Sequence, residues 1–313
     1  KSGGTAETMS QYMVVRDRLE GERLEPKDHL VFVTDPEKGA LRALARAERI
    51  PALDIPANVG GRFSVLSPVG ILPAALMGIE TKRLLAGAGE IARRCVSESL
   101  GENPAGTFAV LQYLADARAG KHVHVLLPYS DAVRDMAAWF VQLWAESLGK
   151  TRSDGSSVGP TPLGALGATD QHSQVQLFME GPADKTITFI AVSSRGADVQ
   201  IPALHAKVPE LGYLGGHSLG EVLEIERQAT AGALARRGRP NMTMTLDAIS
   251  PESVGALFML LECATIYAGA LYDVNPLDQP GVELGKRFTY AMLRRAGFDE
   301  ARAEWDALPK PDP

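Results

Sequence analysis

Along this chain, short apolar runs rich in valine, isoleucine and threonine alternate with longer stretches whose apolar positions recur every three or four residues. That is the patterning of strands feeding helices in an open parallel sheet. Runs at 29–34, 52–55, 122–127, 186–192 and 242–246 predict the strands. In AETMSQYMVVRDRLEG, residues 6–21, Met9, Tyr12, Met13 and Leu19 fall at roughly helical intervals, and Gly21 supplies a stop. Residues 80–100 and the amphipathic DAVRDMAAWFVQLW predict further helices, and helical patterning returns from Val282 before LPKPDP closes the chain as a frayed tail. Asn103 and Pro104 punctuate the pattern and place a boundary there, so the chain divides into 1–103, 104–280 and a helical 281–313. The longest polar stretch, TRSDGSSVGPTPLG at 151–164, predicts a loop. The most apolar, SVGALFMLLECATIYAGALY at 253–272, approaches membrane-spanning length. Glu262 stands near its middle, so it predicts a buried core helix and no membrane partner.

At 313 residues and 45% hydrophobic, the chain is longer than one typical core fills, and two α/β units in series are expected. The net charge of -6 and the lack of any lysine and arginine stripe exclude a nucleic-acid partner held by the overall field. An anionic ligand must therefore be gripped by local groups. Cys95 and Cys263 lie far apart among apolar neighbours and predict buried free thiols in a reducing compartment.

Five stretches carry chemistry beyond scaffold. KSGGTAET, at 1–8, sets a lysine before small and hydroxylated residues at the start of a predicted helix, where unpaired N–H groups and the macrodipole favour an anion. NVGGRFSVLSPVG, at 58–70, joins two glycines, which admit close approach of the backbone, to the fixed donors of Arg62. AESLGKTR, at 145–152, puts Glu146 at the end of an aromatic-rich helix, where partial desolvation would raise its pKa toward that of a working base. GATDQHSQVQLFMEGP crowds polar side chains around His172 at a helix start, and LDQPGVELGK carries Gln279 and ends in Lys286 after a Pro-Gly break. Taken singly, each has a structural explanation: a turn, a solvated last-turn glutamate, a structural histidine, a surface lysine. His122 and His124 alternate on a predicted strand without a third ligand at metal spacing, so no metal is expected. LGGHSLGE lacks the flanking order of a nucleophile elbow around Ser218.

Taken together, VGGRFSVLSPVG, ESLGK, GATDQHSQ and DQPGVELGK follow KSGGTAET in the order and spacing of the phosphoglucose isomerase family, which this sequence resembles over nearly its whole length. The resemblance implies two sugar-isomerase (SIS) domains, each a parallel sheet flanked by helices. It implies reversible isomerisation of glucose 6-phosphate and fructose 6-phosphate, without cofactor or metal, in the cytoplasm. The chain reads as the C-terminal part of a longer one, its first SIS domain incomplete. Carried over by position, Lys1, Ser2, Thr5 and Thr8 match the phosphate loop, His172 the ring-opening residue, and Lys286 the group near the ring oxygen. Glu146 matches the base that moves a proton between C2 and C1 through a cis-enediol, and Arg62 the cation facing the developing enediolate, with Gly61 and Gln279 completing the pocket. In the family the histidine enters from the partner subunit, which implies a homodimer. Phe63 stands where Tyr is also common, and Pro280 replaces a bulkier residue. Two alternatives share this resemblance. One is a sugar-phosphate-binding SIS regulator without catalysis. The other is an isomerase with added mannose 6-phosphate activity or set within a larger polypeptide.

Overall fold

The computed structural model describes residues 3–309. Strands β1 (Phe32–Thr34) and β2 (Ala52–Asp54) pair in parallel as a two-stranded sheet. Next come β3 (Val123–Pro128), a hairpin of β4 (Lys150–Thr151) and β5 (Ser157–Val158), then β6 (Thr161–Gly164), β7 (Lys185–Ser194) and β8 (Asn241–Ala248). β6, β3, β7 and β8 form a parallel sheet in that order, with Val125 opposite both Leu163 and Ile187, and Phe189 opposite Thr243.

The pleat of β3 sends alternate residues to two cores. Leu126 joins Phe108, Phe140, Leu143, Trp144 and Leu261 on one face, against helices Pro104–Ala119, Arg134–Leu148 and Pro251–Tyr272. Val125, Leu127 and Tyr129 join Phe178, Ile187, Phe189 and Leu234 on the other, against Val175–Glu180 and Leu219–Arg236. Helices thus cover both faces of a parallel sheet, the α/β class that the hydrophobic pattern predicts.

All five predicted strands form, with shifted ends. Pro26 opens a short helix, Pro26–His29, so the strand expected from 29 begins only at Phe32. The polar stretch 151–164 is not one loop: it holds part of the hairpin and all of β6. β6 is an edge strand paired only with β3, which is why Pro162 is tolerated in it. The helix expected over 80–100 is Thr81–Arg94, because Asn103 Nδ2 takes the Cys95 and Ser97 carbonyls while Asn103 Oδ1 caps Gly106 of the following helix. A further helix, Pro68–Leu76, was not predicted; the Ser67 hydroxyl caps it. The C-terminal helical stretch is two helices, Glu283–Met292 and Asp299–Asp306.

Helix Pro251–Tyr272 is long and apolar enough to cross a membrane, yet it is a core helix, with Leu257, Leu261, Ala264 and Ala268 buried. Burial pushes the Glu262 carboxyl up to about 8, so it is protonated at neutral pH. Two glycines bring this helix against Thr81–Arg94: a methyl on Gly87 would stand 1.9 Å from the Glu252 carbonyl oxygen, and one on Gly255 1.9 Å from that of Leu84. Farther along both, the Tyr267 hydroxyl donates to the Cys95 carbonyl, so the two helices run side by side in one direction. Cys95 is buried and Cys263 half-buried, both as free thiols. His124 lies wholly buried beneath Trp144, whose indole N–H donates to Nδ1 at 3.1 Å, and burial pushes its pKa down to about 4.

Candidate active site

Gly60 leads into a single 3-10 turn, Gly61–Phe63, that turns the Arg62 side chain inward until it is only 3% exposed. Its partners come from the other half of the chain. Nε donates to Ser147 Oγ at 2.6 Å, on the last turn of Arg134–Leu148. Nη1 donates to Gln279 Oε1 at 2.9 Å and lies 3.5 Å from Glu146 Oε1. Nη2 donates to the carbonyls of Pro276 and Asp278, the latter at 2.9 Å. A buried guanidinium needs such an acceptor set, because an unpaired charge out of water is costly. Burial lowers the Arg62 pKa below its ordinary value, with the Glu146 and Asp278 carboxylates working against that. Arginine stays charged at neutral pH regardless.

Glu146 sits one residue before Ser147, half-buried, with Gln142 Nε2 on its second oxygen at 3.3 Å. Four expected residues therefore assemble from three distant stretches: Gly61 and Arg62, Glu146, and Gln279. Two of their supports were not singled out from the sequence. Ser147 is fully buried. Lys150 Nζ reaches the carbonyls of Asn275 and Asp278 at 2.8 and 2.7 Å. The signal for both was the compactness of ESLGK itself, small and charged residues closing a helix whose other positions are aromatic and apolar.

Beyond Gln279 the chain turns through Pro280–Val282 into helix Glu283–Met292, which carries Lys286. Lys286 and Thr289 face Gly4, Thr5 and Glu7 across a cavity of about 600 Å³ that Tyr290 and Arg295 also line. The Tyr290 hydroxyl donates to the Gly4 carbonyl at 3.0 Å, fastening this helix to the start of the other. Thr5 is the N-cap of Ala6–Gly21, and its hydroxyl makes no capping bond, which leaves that helix end free to take an external acceptor. Gly3 has φ +60 and a methyl on it would meet Leu41 at 2.6 Å, so glycine is required there twice over. Thr8 is exposed one turn on and does not line the cavity. Lys1 and Ser2 lie outside the described residues.

His172 does not join this cluster within the chain. It is exposed at the end of the turn Thr169–His172. Its neighbour Gln171 accepts from the Tyr129 and Thr230 hydroxyls. Ala168 and Val175 on either side pack into the Val125 and Phe189 core, whereas the helix bearing Glu146 packs on the opposite face of the sheet. The histidines set aside from metal chemistry have structural partners: His122 pairs with Asp116 and His124 with Trp144. Among the described residues no cluster of histidine, cysteine and carboxylates could hold a metal ion. Ser218 caps Leu219–Arg236, a structural role in keeping with its lack of elbow order.

A sequence profile described as "Phosphoglucose isomerase" matches residues 1–309. The chain belongs to the phosphoglucose isomerase family. Among curated family members, the chain is 50% identical over 304 residues to a glucose-6-phosphate isomerase of Rubrobacter xylanophilus, covering 95% of this chain and 68% of that one. It is 49% identical over 310 residues to that of Carboxydothermus hydrogenoformans, covering 97% and 66%. The chain thus spans about two thirds of the length of these relatives. The crystal structure of a hypothetical protein from Thermus thermophilus superposes with TM-score 0.88 at 42% identity, over 95% of this chain and 70% of that one. A glucose-6-phosphate isomerase from Chlamydia trachomatis shares the fold at TM-score 0.82 and 22% identity, over 98% of this chain and 60% of that one.

Proposed function

We propose that this phosphoglucose isomerase family member interconverts glucose 6-phosphate and fructose 6-phosphate in the cytoplasm, with Glu146 as the base. The observation that carries the residue assignment is the buried Arg62 guanidinium 3.5 Å from the half-buried Glu146 carboxylate. Removing a proton from C2 leaves negative charge on the enediol oxygens, and a fixed cation beside the base stabilises that charge as it forms. Each guanidinium nitrogen already has acceptors within the chain, so a substrate oxygen reaches Nη1 by exchanging with Gln279 Oε1. The Thr5 helix start, with Lys1 and Ser2, takes the phosphate, and Lys286 the ring oxygen and hydroxyl. Cation and base suffice for this proton transfer, and no cofactor enters the reading.

The two SIS domains of this reading are 1–103 and 104–280, with 281–313 closing the site as a helical segment. His172 opens the ring in a site of a second copy, because in its own chain the four-stranded sheet lies between it and Glu146. The assembly is therefore a homodimer.

Replacing Glu146 by Gln is the direct test: a coupled assay on fructose 6-phosphate should show turnover falling by about a thousandfold, with substrate binding kept. Turnover that survives would rule Glu146 out as the base, and binding without turnover in the wild type would favour the regulator. Mixing inactive Glu146→Gln with inactive His172→Asn should restore activity, since one site of the mixed dimer has both groups. A mixture that stays dead at subunit exchange equilibrium would overturn the shared site.

A further inference from the structure

Lys150 is attached to the end of the helix that carries Glu146 and Ser147, and its side chain is only 8% exposed. An ammonium has three N–H groups, and here each has an acceptor: Asn275 O at 2.8 Å, Asp278 O at 2.7 Å and Asp278 Oδ1 at 3.0 Å. The acceptors all belong to one short segment, and that segment is also what Arg62 holds. Asp278 O takes one hydrogen bond from Lys150 and a second from Arg62 Nη2, so a single carbonyl joins the two cations. The segment is stiffened from within: Asn275 Oδ1 accepts from Leu277 N at 3.0 Å and Asn275 Nδ2 donates to Asp278 Oδ2 at 2.9 Å. Its next residue is Gln279, whose side-chain Oε1 accepts from Arg62 Nη1.

We infer that Lys150 is a positioning residue for the proton transfer. Resting on the isomerase reading above, it clamps residues 275–279 to the end of the base-bearing helix, so that Arg62, Gln279 and Glu146 keep one geometry. Lys150 itself touches neither substrate nor base. Arg62 is held on its Nε side by Ser147 and on its Nη2 side by the loop. Without the lysine, the Nη2 acceptors lose their second anchor and the guanidinium can swing about Ser147. A displacement of about an ångström at such a group is enough to cost on the order of a hundredfold in rate. The cost would fall on the transition state, because charge on the enediolate exists only there.

The test compares wild type with Lys150→Met and Lys150→Arg in the full chain, by kinetics, hydrogen exchange and thermal melting. Lys150→Met should lower kcat roughly ten- to a hundredfold while KM for fructose 6-phosphate stays within about twofold. Affinity for a five-carbon sugar-acid phosphate, whose carboxylate imitates the enediolate, should fall in parallel with kcat. Amides of 275–279 should exchange faster, and Lys150→Arg, keeping the charge but not the point geometry, should recover part of both effects. Adding Arg62→Lys to Lys150→Met should cost less than the two single losses combined, as for residues acting as a unit. Faster exchange with unchanged kcat would overturn the inference and leave the lysine a structural clamp. A kcat loss that merely follows a lower melting temperature would overturn it too. A wild type that binds the sugar phosphate without converting it would refute the isomerase reading instead, and the exchange measurement would still report on the clamp.

Discussion

Arg62 and Lys286 are two of the cations that the family resemblance places at the substrate, and they are held in opposite ways. The Arg62 side chain is 3% exposed, and two side chains, two backbone carbonyls and the Glu146 carboxylate surround it. Lys286 is 46% exposed and, among the described residues, has one ion pair, to Glu283 on its own helix at 2.8 Å. The contrast follows what each is proposed to meet, a charge that develops during the reaction for Arg62 and the ring oxygen and hydroxyl of the arriving sugar for Lys286. An enediolate appears for an instant, so a group that stabilises it must be in place beforehand. A sugar phosphate arrives already charged and hydroxylated, and a long, wet side chain can settle on it after contact.

The sharpest way to break this comparison is Arg62→Lys. It keeps the charge and discards the fork that reaches Ser147, Gln279 and the loop together, and a coupled assay should show kcat lower by at least about a hundredfold. A loss no larger than that of a surface substitution would mean the preorganised arm is not preorganised for catalysis. Next, Lys286→Ala should reduce kcat/KM by about tenfold, carried more by KM than by kcat. Because Lys286 is solvated and lines the same cavity as Thr5, inhibition of the wild type by inorganic phosphate should weaken as salt is raised, and that salt dependence should shrink in the variant. The smallest effect is expected at Thr5→Val, which removes one neutral hydroxyl at a helix start and should weaken phosphate inhibition about threefold.

A pH profile sharpens the comparison only if the fold's own titration is subtracted. His124 is neutral in the fold, with its pKa pushed down to about 4, and it protonates near 6.5 once unfolded. The unfolded chain therefore binds more protons between those values, and stability is lost as pH falls through that window, by roughly 3 kcal/mol in all. The raised Glu262 carboxyl opposes this, because the folded chain binds its proton between about 8 and 4.5 and gains stability as pH falls. Melting curves of Glu262→Gln from pH 7 to pH 4.5, with that opposing gain removed, should show the decline, and a flat profile in that variant would contradict the buried neutral state. Activity lost over the same range belongs to the site only where the protein remains folded.

Much of this was legible in the sequence. Short apolar runs between helical patterning located the predicted strands, and three of the five motifs in family order named Glu146 and Gln279, which meet around Arg62. β6 was not legible, because an edge strand needs little apolar content and contains Pro162. Helix Pro68–Leu76, with Pro73 inside it, defied propensity in the other direction. Lys150 was quoted within ESLGK and passed over, since a lysine carries no mark in one dimension of whether its ammonium meets water or three acceptors. The separation of His172 from Glu146 is likewise a property of the sheet between them and not of spacing along the chain.

Arg62 belongs to the first 103 residues and Glu146 to the rest, so their 3.5 Å separation is set by how closely the two parts seat. That seating runs through Gly87 and Gly255, where backbone rests on backbone. The joint works like a machined fit between two castings, its tolerance smaller than one methyl group. A substitution there would touch nothing in the site and would still reset the separation of Arg62 from Glu146.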